Sequence, residues 1–501
     1  MSSGRAERPT RLGFVLAAVI LTQLLVVIDF FALNLTLPPM ARDFGVSATD
    51  LQFVISGYMI ALGAFMIPAG RIADLIGRRR VTVTGVVVFG LSSLVCGVAP
   101  DEKIVVIFRV IEGIGAAMCF PVSIALITAT FPAHRVQRTL GVVYGFAALG
   151  NALGPLVGGL LSEVSWRWVF LINVPLAALA AVWLQTSVPE TVDDTASKRI
   201  DWLGFGLVSS GLIVTTLAVD NADNWGWASA RTLGVLIGGL ALLVAFLIAE
   251  ARVEAPLVDL TLFRDKAYAV IVSAGTLANC AFVVAIFAAT LLLQNVRLLS
   301  PAESALAFLP MAIGCAIAGQ TAGRLNRALP QWVAAGALAV GGLGLLILST
   351  SSSWGVFLPG FGLVGLGLGL GWSYASVGTQ VVVPPSKAAV ASGVTLTALI
   401  ALGGVALAVG ATVMDQLAGA AAVHTFAPIR DVLLVSAVAC LVGAVVAPLV
   451  VRMRREDLAE GPEPYGPPPS DAQSATARPD QCGLPSAATA PTQAPGHRAK
   501  T

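Results

Sequence analysis

Apolar residues run through this chain in long blocks, interrupted by short stretches that gather most of its charge. A bilayer core of about 30 Å needs about 20 apolar residues in a helix. Fourteen blocks approach or exceed that length, at residues 12–37, 51–70, 81–98, 104–129, 139–161, 168–187, 202–219, 231–249, 268–293, 304–322, 331–349, 355–380, 388–413 and 431–451. The pattern predicts an all-α polytopic membrane protein in which neighbouring helices are antiparallel, because most linking segments are short. Longer polar segments at 188–200 and 250–266 bracket the pair at 202–249 and leave six helices on either side. The expected domains are an N-terminal segment (1–11), a six-helix bundle (12–187), a linker with two inserted helices (188–257), a second six-helix bundle (258–451) and a disordered tail (452–501) rich in Pro, Ala and Ser.

Composition agrees with that pattern, since 56% of the 501 residues are hydrophobic and 12% are charged. A soluble globule of this size needs more polar surface. The net charge of +2 decides little, whereas the placement of Lys and Arg decides orientation. With the N-terminus in the cytoplasm, 20 of the 30 basic residues fall in cytoplasmic segments and 6 in outer loops, so both termini are expected inside. The first 33 residues have the basic start and apolar run of a signal peptide. That run is long and no small-residue cleavage site precedes Asp29, so an uncleaved first span is expected.

Several patterns lead nowhere. The six cysteines are scattered and include no C-x-x-C pair, and His134, His424 and His497 are too dispersed for a metal site or a catalytic triad. Gly360 to Gly365 fits G-x-G-x-x-G but opens an apolar helix instead of following a strand. Without a P-loop or G-x-S-x-G motif, the sequence predicts neither ATP hydrolysis nor another enzymatic activity. Nor does it suggest a cofactor, a metal, a nucleic acid or an obligate protein partner. The expected surroundings are lipid, protons and a small organic solute.

Three motifs carry chemistry. The first, Gly70 to Arg80, reads G-x-x-x-D-x-x-G-R-R-R, a tight charged turn between two spans. Its members Gly70, Arg71, Asp74, Gly77, Arg78 and Arg79 are candidates for a gating loop, with Asp74 set against the positive end of the thirteenth span near 388–392. In the second, Gly150, Gly154 and Gly158 recur every four residues, with Pro155 and Gly159 beside them. Such a face lets helices touch backbone to backbone. The third is the set of ionisable groups inside spans: Asp29 in the first, Arg109 and Glu112 in the fourth. At 1.5 Å per residue Asp29 lies about 26 Å above Leu12 and Arg109 about 8 Å below Ile104, both in the outer half. Glu112 lies one turn from Arg109 on the same face. A structural ion pair and a proton-coupling site are both compatible with this placement. Trp166, Trp168, Trp225 and Trp227 fit an interfacial aromatic belt.

Gly70 to Arg80, Arg109-x-x-Glu-Gly-x-Gly115 and Gly150 to Gly159 resemble successive signature motifs of the major facilitator superfamily, the last being the one associated with antiporters. Asp29-x-x-x-x-Asn-x-x-Leu-Pro38, Trp166 to Pro175, Asp201 to Gly204, Pro256 to Arg264 and Leu293 to Pro301 resemble the fourteen-helix drug:proton antiporters of that superfamily. The resemblance covers about residues 12–451. It implies efflux of a lipophilic organic compound, an antibiotic or other drug, across the bacterial inner membrane, driven by the proton motive force. It further implies proton coupling at Asp29, Arg109 and Glu112, and substrate contacts at Phe30, Phe31, Asn34, Trp372 and Tyr374. Phe31 stands where the family usually has Thr, and Glu112 where it often has Gln. A metabolite symporter or uniporter of the same fold and a membrane-embedded sensor are the rival readings.

Overall fold

The computed structural model describes residues 12–450 except 48–49, 193–200, 254–257, 259, 326–328, 351–352, 384–387 and 419–424. The expected disordered tail, the N-terminal segment and most of the first polar linker lie outside the described residues. The remainder is helical. The long helices are α1 (Leu12–Ala32), α2 (Phe53–Ile76), α3 (Arg78–Gly97), α4 (Glu102–Thr130), α5 (Ala133–Val164), α6 (Asn173–Ser187) and α7 (Trp202–Asp220). They continue with α8 (Ala230–Glu250), α9 (Lys266–Leu291), α10 (Leu309–Arg324), α11 (Pro330–Thr350), α12 (Trp354–Val382), α13 (Ala388–Ala418) and α14 (Phe426–Val450). Among the described residues, twelve helical segments are long and apolar enough to cross a membrane, and a thirteenth if the pair Pro301–Ala307 and Leu309–Arg324, bent by 42°, is one span. The expected fifth span lies within α5, where Leu153–Val164 is apolar but short.

Side chains fix where helices begin. Asp101 accepts a hydrogen bond from the Ile104 amide (3.0 Å), Asp201 from Gly204 (2.8 Å) and Asp265 from Ala267 (2.8 Å), so each occupies a free donor at a helix start. Ser300 and Glu303 form a reciprocal capping box ahead of Pro301–Ala307. Between α2 and α3 the work is done by Gly77 alone, at φ +121°. The stretch expected as a charged loop is therefore helical except at Gly77, with Gly70 to Ile76 closing α2 and Arg78 to Arg80 opening α3. The left-handed backbone at Gly77 reverses the chain in one residue, and a Cβ there would strike the Glu190 carboxylate.

Helices α1 to α6 pack among themselves, chiefly α3 with α4, α2 with α4 and α1 with α5; α9 to α14 do the same, chiefly α11 with α12, α10 with α12 and α11 with α14. The two groups meet along α2 with α13 and along α5 with α10 and Pro301–Ala307. Helix α7 lies against α8, α13 and α2. The outer faces are apolar, with Ile237 and Val244 on α8 and Val435, Val445 and Leu449 on α14 all exposed. Only a hydrocarbon solvent makes such a surface stable.

Small residues set the closest approaches. A Cβ on Gly158 would collide with the Ala32 backbone and one on Gly154 with Phe31, while Gly159 faces the Pro301 carbonyl. The glycine face of α5 thus lies against α1, and its last glycine against the other bundle. Pro155 is buried in the same helix.

Candidate functional site

Five buried polar side chains from four helices close into a ring. Arg109 NH1 donates to Asp29 Oδ2 at 2.7 Å and to Glu112 Oε2 at 2.9 Å. Ser93 Oγ donates to Glu112 Oε1 at 2.5 Å. Asn173 Nδ2 donates to Ser93 Oγ at 2.9 Å and to Asp29 Oδ1 at 2.8 Å, which completes the circuit. Asp29, Ser93, Arg109, Glu112 and Asn173 are each no more than 2% exposed. All four carboxylate oxygens accept a hydrogen bond, which compensates for part of their lost hydration.

Local chain geometry puts each member there. Arg109 and Glu112 are three residues apart on α4 and share a face. Asn173 opens α6 directly after a break at Ile172, with Pro175 two residues on, and its amide reaches Asp29 on α1 and Ser93 on α3. Arg109 is pinned further by its Nε donating to the Val54 carbonyl (2.9 Å), and its guanidinium carbon lies 4.0 Å from the centroid of the Tyr58 ring.

Tyr58 is also among the residues around a cavity of about 530 Å³ between the two bundles. One wall comes from Val26, Phe30, Phe31, Tyr58, Met59 and Phe120, the other from Asn279, Phe282, Gln320, Trp372, Ser376 and Ile400. No Asp, Glu, Lys or Arg is among its lining residues. The expected contacts Phe30, Phe31 and Trp372 line it; Asn34 and Tyr374 do not. Asn34 sits in a 3-10 turn with its Nδ2 on the Phe30 carbonyl (3.2 Å). Tyr374 is about 200° around α12 from Trp372 and packs with Ile271, Val333, Ala375 and Leu399.

The charged turn is held from an unexpected quarter. Glu190 accepts from the Arg79 amide at 3.0 Å and lies 3.6 Å from both Arg79 Nε and Arg80 Nε, while Arg78 N donates to the Thr191 carbonyl at 3.0 Å. Asp74 is engaged by Arg78, four residues on, at 2.8 Å. The expected meeting of Asp74 with the start of α13, near 388–392, falls in part on side chains outside those described, at 388–390. Arg71 remains within α2. Trp166 departs from the aromatic-belt expectation: it is 3% exposed and donates from Nε1 to Asp43 at 2.9 Å, whereas Trp168 is half exposed.

Sequence reasoning missed Ser93, Asn173, Tyr58 and Glu190. Asn173 lies inside the quoted Trp166 to Pro175 stretch, and an amide two residues before a proline in an apolar block is the signal that marks it. Ser93 and Tyr58 carry no distinguishing pattern.

A two-bundle helical membrane fold with a central cavity between the halves defines a solute transporter. The sequence model of the Major Facilitator Superfamily matches residues 19–408, and the chain belongs to that family, whose members are transporters and not enzymes. Multidrug resistance protein Stp of Mycobacterium tuberculosis is 33% identical over 379 residues, 74% of this chain and 70% of that protein. The tetracenomycin C resistance and export protein of Streptomyces glaucescens is 31% identical over 417 residues, covering 81% and 76% respectively. Among solved structures, a peptide transporter POT in complex with sulfate aligns with a TM-score of 0.66 at 16% identity over 91% of this chain and 96% of its own, a likeness of fold alone.

Proposed function

We propose that this protein is a fourteen-span antiporter that exports a neutral, lipophilic organic compound from a bacterial cell in exchange for protons, by alternating access. The observation that carries this reading is the adjacency of the Asp29–Arg109–Glu112 ring to a charge-free apolar cavity, with Tyr58 between them. With both carboxylates ionised, the ring holds two negative charges against one guanidinium. A proton on either carboxylate removes an acceptor from Arg109 NH1, which then turns toward the other. Because Asp29 is on α1 and Arg109 on α4, that exchange changes how the two helices are held together. Proton binding is thereby tied to the shape of the cavity wall.

Contacts between the bundles support the alternating-access part. Gln294 Nε2 donates to the Leu35 carbonyl at 2.9 Å, and Glu163 accepts from the Ala302 amide at 3.0 Å. Both join the halves at the end of the molecule that the distribution of Lys and Arg assigns to the outside. The cavity continues away from them, past Phe146, Gln320 and Gly323. This corresponds to a state closed outside. In this reading both termini are cytoplasmic, residues 12–187 and 258–451 form the moving bundles, and α7 and α8 lie as an added pair beside α2 and α13 in the plasma membrane. The proton motive force supplies the energy and no cofactor takes part. The names of the relatives, resistance proteins for drugs and for tetracenomycin C, favour a xenobiotic or antibiotic cargo.

The test is flux in inverted vesicles carrying the full chain, screened against a compound panel. Acidifying the lumen should drive accumulation of exported compounds and Asp29→Asn should abolish it. Flux of the opposite proton dependence would establish an importer, and the absence of flux for every compound would favour a sensor.

A further inference from the structure

A carboxyl group that takes up a proton becomes a donor, and in a buried site it needs an acceptor. Asp29 meets donors alone: Arg109 Nη1 at 2.7 Å from Oδ2 and Asn173 Nδ2 at 2.8 Å from Oδ1. Asn173 could offer its oxygen only by turning its amide over, which would withdraw Nδ2 from Asp29 and Ser93 together. The Tyr58 hydroxyl does not serve Asp29 either, having no hydrogen-bond partner among the described residues. Glu112 Oε2 likewise faces a donor, Arg109 Nη1, at 2.9 Å. Glu112 Oε1 differs, because its partner at 2.5 Å is the Ser93 hydroxyl. A hydroxyl carries one hydrogen and two lone pairs, and Ser93 Oγ uses one lone pair for Asn173 Nδ2, at 2.9 Å. Rotation about its C–O bond turns it from donor to acceptor towards Glu112, while its own hydrogen goes to a main-chain carbonyl one turn back on α3.

We infer that Glu112 takes the exchanged proton on Oε1, that Ser93 is the positioning residue that reverses its hydrogen bond to hold it, and that Asp29 stays ionised as the counterion of Arg109. On the proton-coupled reading proposed above, on which this assignment rests, Glu112 is the group that carries the proton. One proton from water joins Oε1 and no other bond to hydrogen breaks, so the ring passes from one net negative charge to none. Glu112 Oε2 becomes the weaker acceptor of the two that Arg109 Nη1 serves, and the guanidinium shifts its hold to Asp29, drawing α4 towards α1. No member of the ring is more than 2% exposed, so the proton is trapped in this state and exchanges with water in another state of the cycle. The charged and titratable groups around Glu112 are Asp29 on α1, Tyr58 on α2, Cys96 on α3 and Arg109 on its own helix. Asp29 is the other carboxyl among them and therefore the competitor that an experiment must exclude.

Isotope labels tell the two carboxyls apart without disturbing the ring. The full chain is made by cell-free synthesis with carbon-13 in the side-chain carboxyl of either glutamate or aspartate and purified in detergent. Infrared difference spectra are taken between about pH 9 and about pH 6, above the range of roughly 4 in which exposed carboxyls titrate. A protonated-carboxyl C=O band should appear on acidification, and the glutamate label alone should move it to lower frequency. Ser93→Ala should raise the frequency of that band, because the carboxyl O–H has lost its acceptor, which ties the band to Glu112 and to no other glutamate. Ser93→Thr keeps a hydroxyl and should return the band to its wild-type position. A band that moves with the aspartate label, a band indifferent to Ser93→Ala, or no band in the wild-type chain would each overturn the assignment. Vesicle flux is separable from these outcomes: a chain that exports against protons yet shows an aspartate band keeps the proposed function and loses the assignment to Glu112.

Discussion

Asn173 joins the two arms of the buried ring, and removing its amide is the sharpest test of whether the ring acts as one unit. The Asn173→Ala side chain cannot donate to Asp29 Oδ1 or to Ser93 Oγ, which lie 2.8 Å and 2.9 Å from Nδ2. The lost bond to the carboxylate is of the charge-assisted kind, roughly 1.5–3 kcal/mol. Polar bonds between helices in a membrane average about 0.6 kcal/mol, which suits the bond to Ser93. A loss of roughly 2–3.5 kcal/mol follows, and at about 2–4 °C per kcal/mol for a bundle of this length the unfolding midpoint in detergent should fall by about 4–14 °C. Asn173→Asp keeps the shape but places a third carboxylate against Asp29, so it should fall further.

Coupling within the ring gives the discriminating measurement. Ser93→Ala leaves Glu112 Oε1 without its donor and also strips Asn173 of a partner, so its effect overlaps with that of Asn173→Ala. Residues in one hydrogen-bond network show interaction energies of about 0.5–3 kcal/mol in double-mutant cycles. The Asn173→Ala, Ser93→Ala double variant should therefore be less destabilised than the two single effects added together, with thermal scans run at one rate in one detergent. Gradient-driven efflux should fall in both single variants. Additive midpoint shifts, or an Asn173→Ala protein with wild-type stability and efflux, would refute the idea that Asn173 ties the carboxylates together.

Other substitutions separate backbone constraints from side-chain contacts. Gly158→Val forces a branched side chain into the Ala32 backbone and should abolish folding or cycling, whereas Leu153→Val on the exposed face of the same helix should express and transport normally. Gly77→Ala is strained by its φ of +121° and by the Glu190 carboxylate, so membrane expression should drop; Glu190→Gln, at a site about a quarter exposed, should shift the unfolding midpoint by no more than about 2 °C. Trp372→Ala should raise the concentration for half-maximal efflux several-fold while Tyr374→Phe leaves it unchanged, because only the former side chain faces the cavity.

The helical blocks were legible because a bilayer imposes a length and a polarity that the sequence must satisfy residue by residue. The ends were less so. The first block was expected to stop at residue 37, yet helical structure continues through the Leu33–Thr36 turn to Phe44, where Gly45 at φ +71° ends it. Pro38 and Pro39 fall at the first positions of the new helical segment Leu37–Phe44, where a proline is tolerated because its missing amide has no partner to lose. The charged stretch Gly70 to Arg80 misled in the opposite sense. Its Gly and Arg content suggested a tight charged loop across the whole stretch, whereas the turn is a single residue, Gly77, and the arginines begin the next helix.

The site divides along the same line between local and distant information. Arg109 and Glu112 could be paired from the period of one helix, and charge in an apolar block is rare enough to single out Asp29. Their neutral partners could not be found in that way. Ser93 and Asn173 are ordinary residues whose importance comes from helices that meet only in three dimensions, and Tyr58 matters because it packs on Arg109 and also borders the cavity. Phe30 follows Asp29 directly, so one turn of α1 places a carboxylate in the ring and an aromatic side chain in the cavity. Adjacent residues on a helix point about 100° apart. A small rotation of α1 therefore changes the proton site and the substrate wall together, which is the mechanical requirement of exchange and gives a physical reason for the two to be neighbours in sequence.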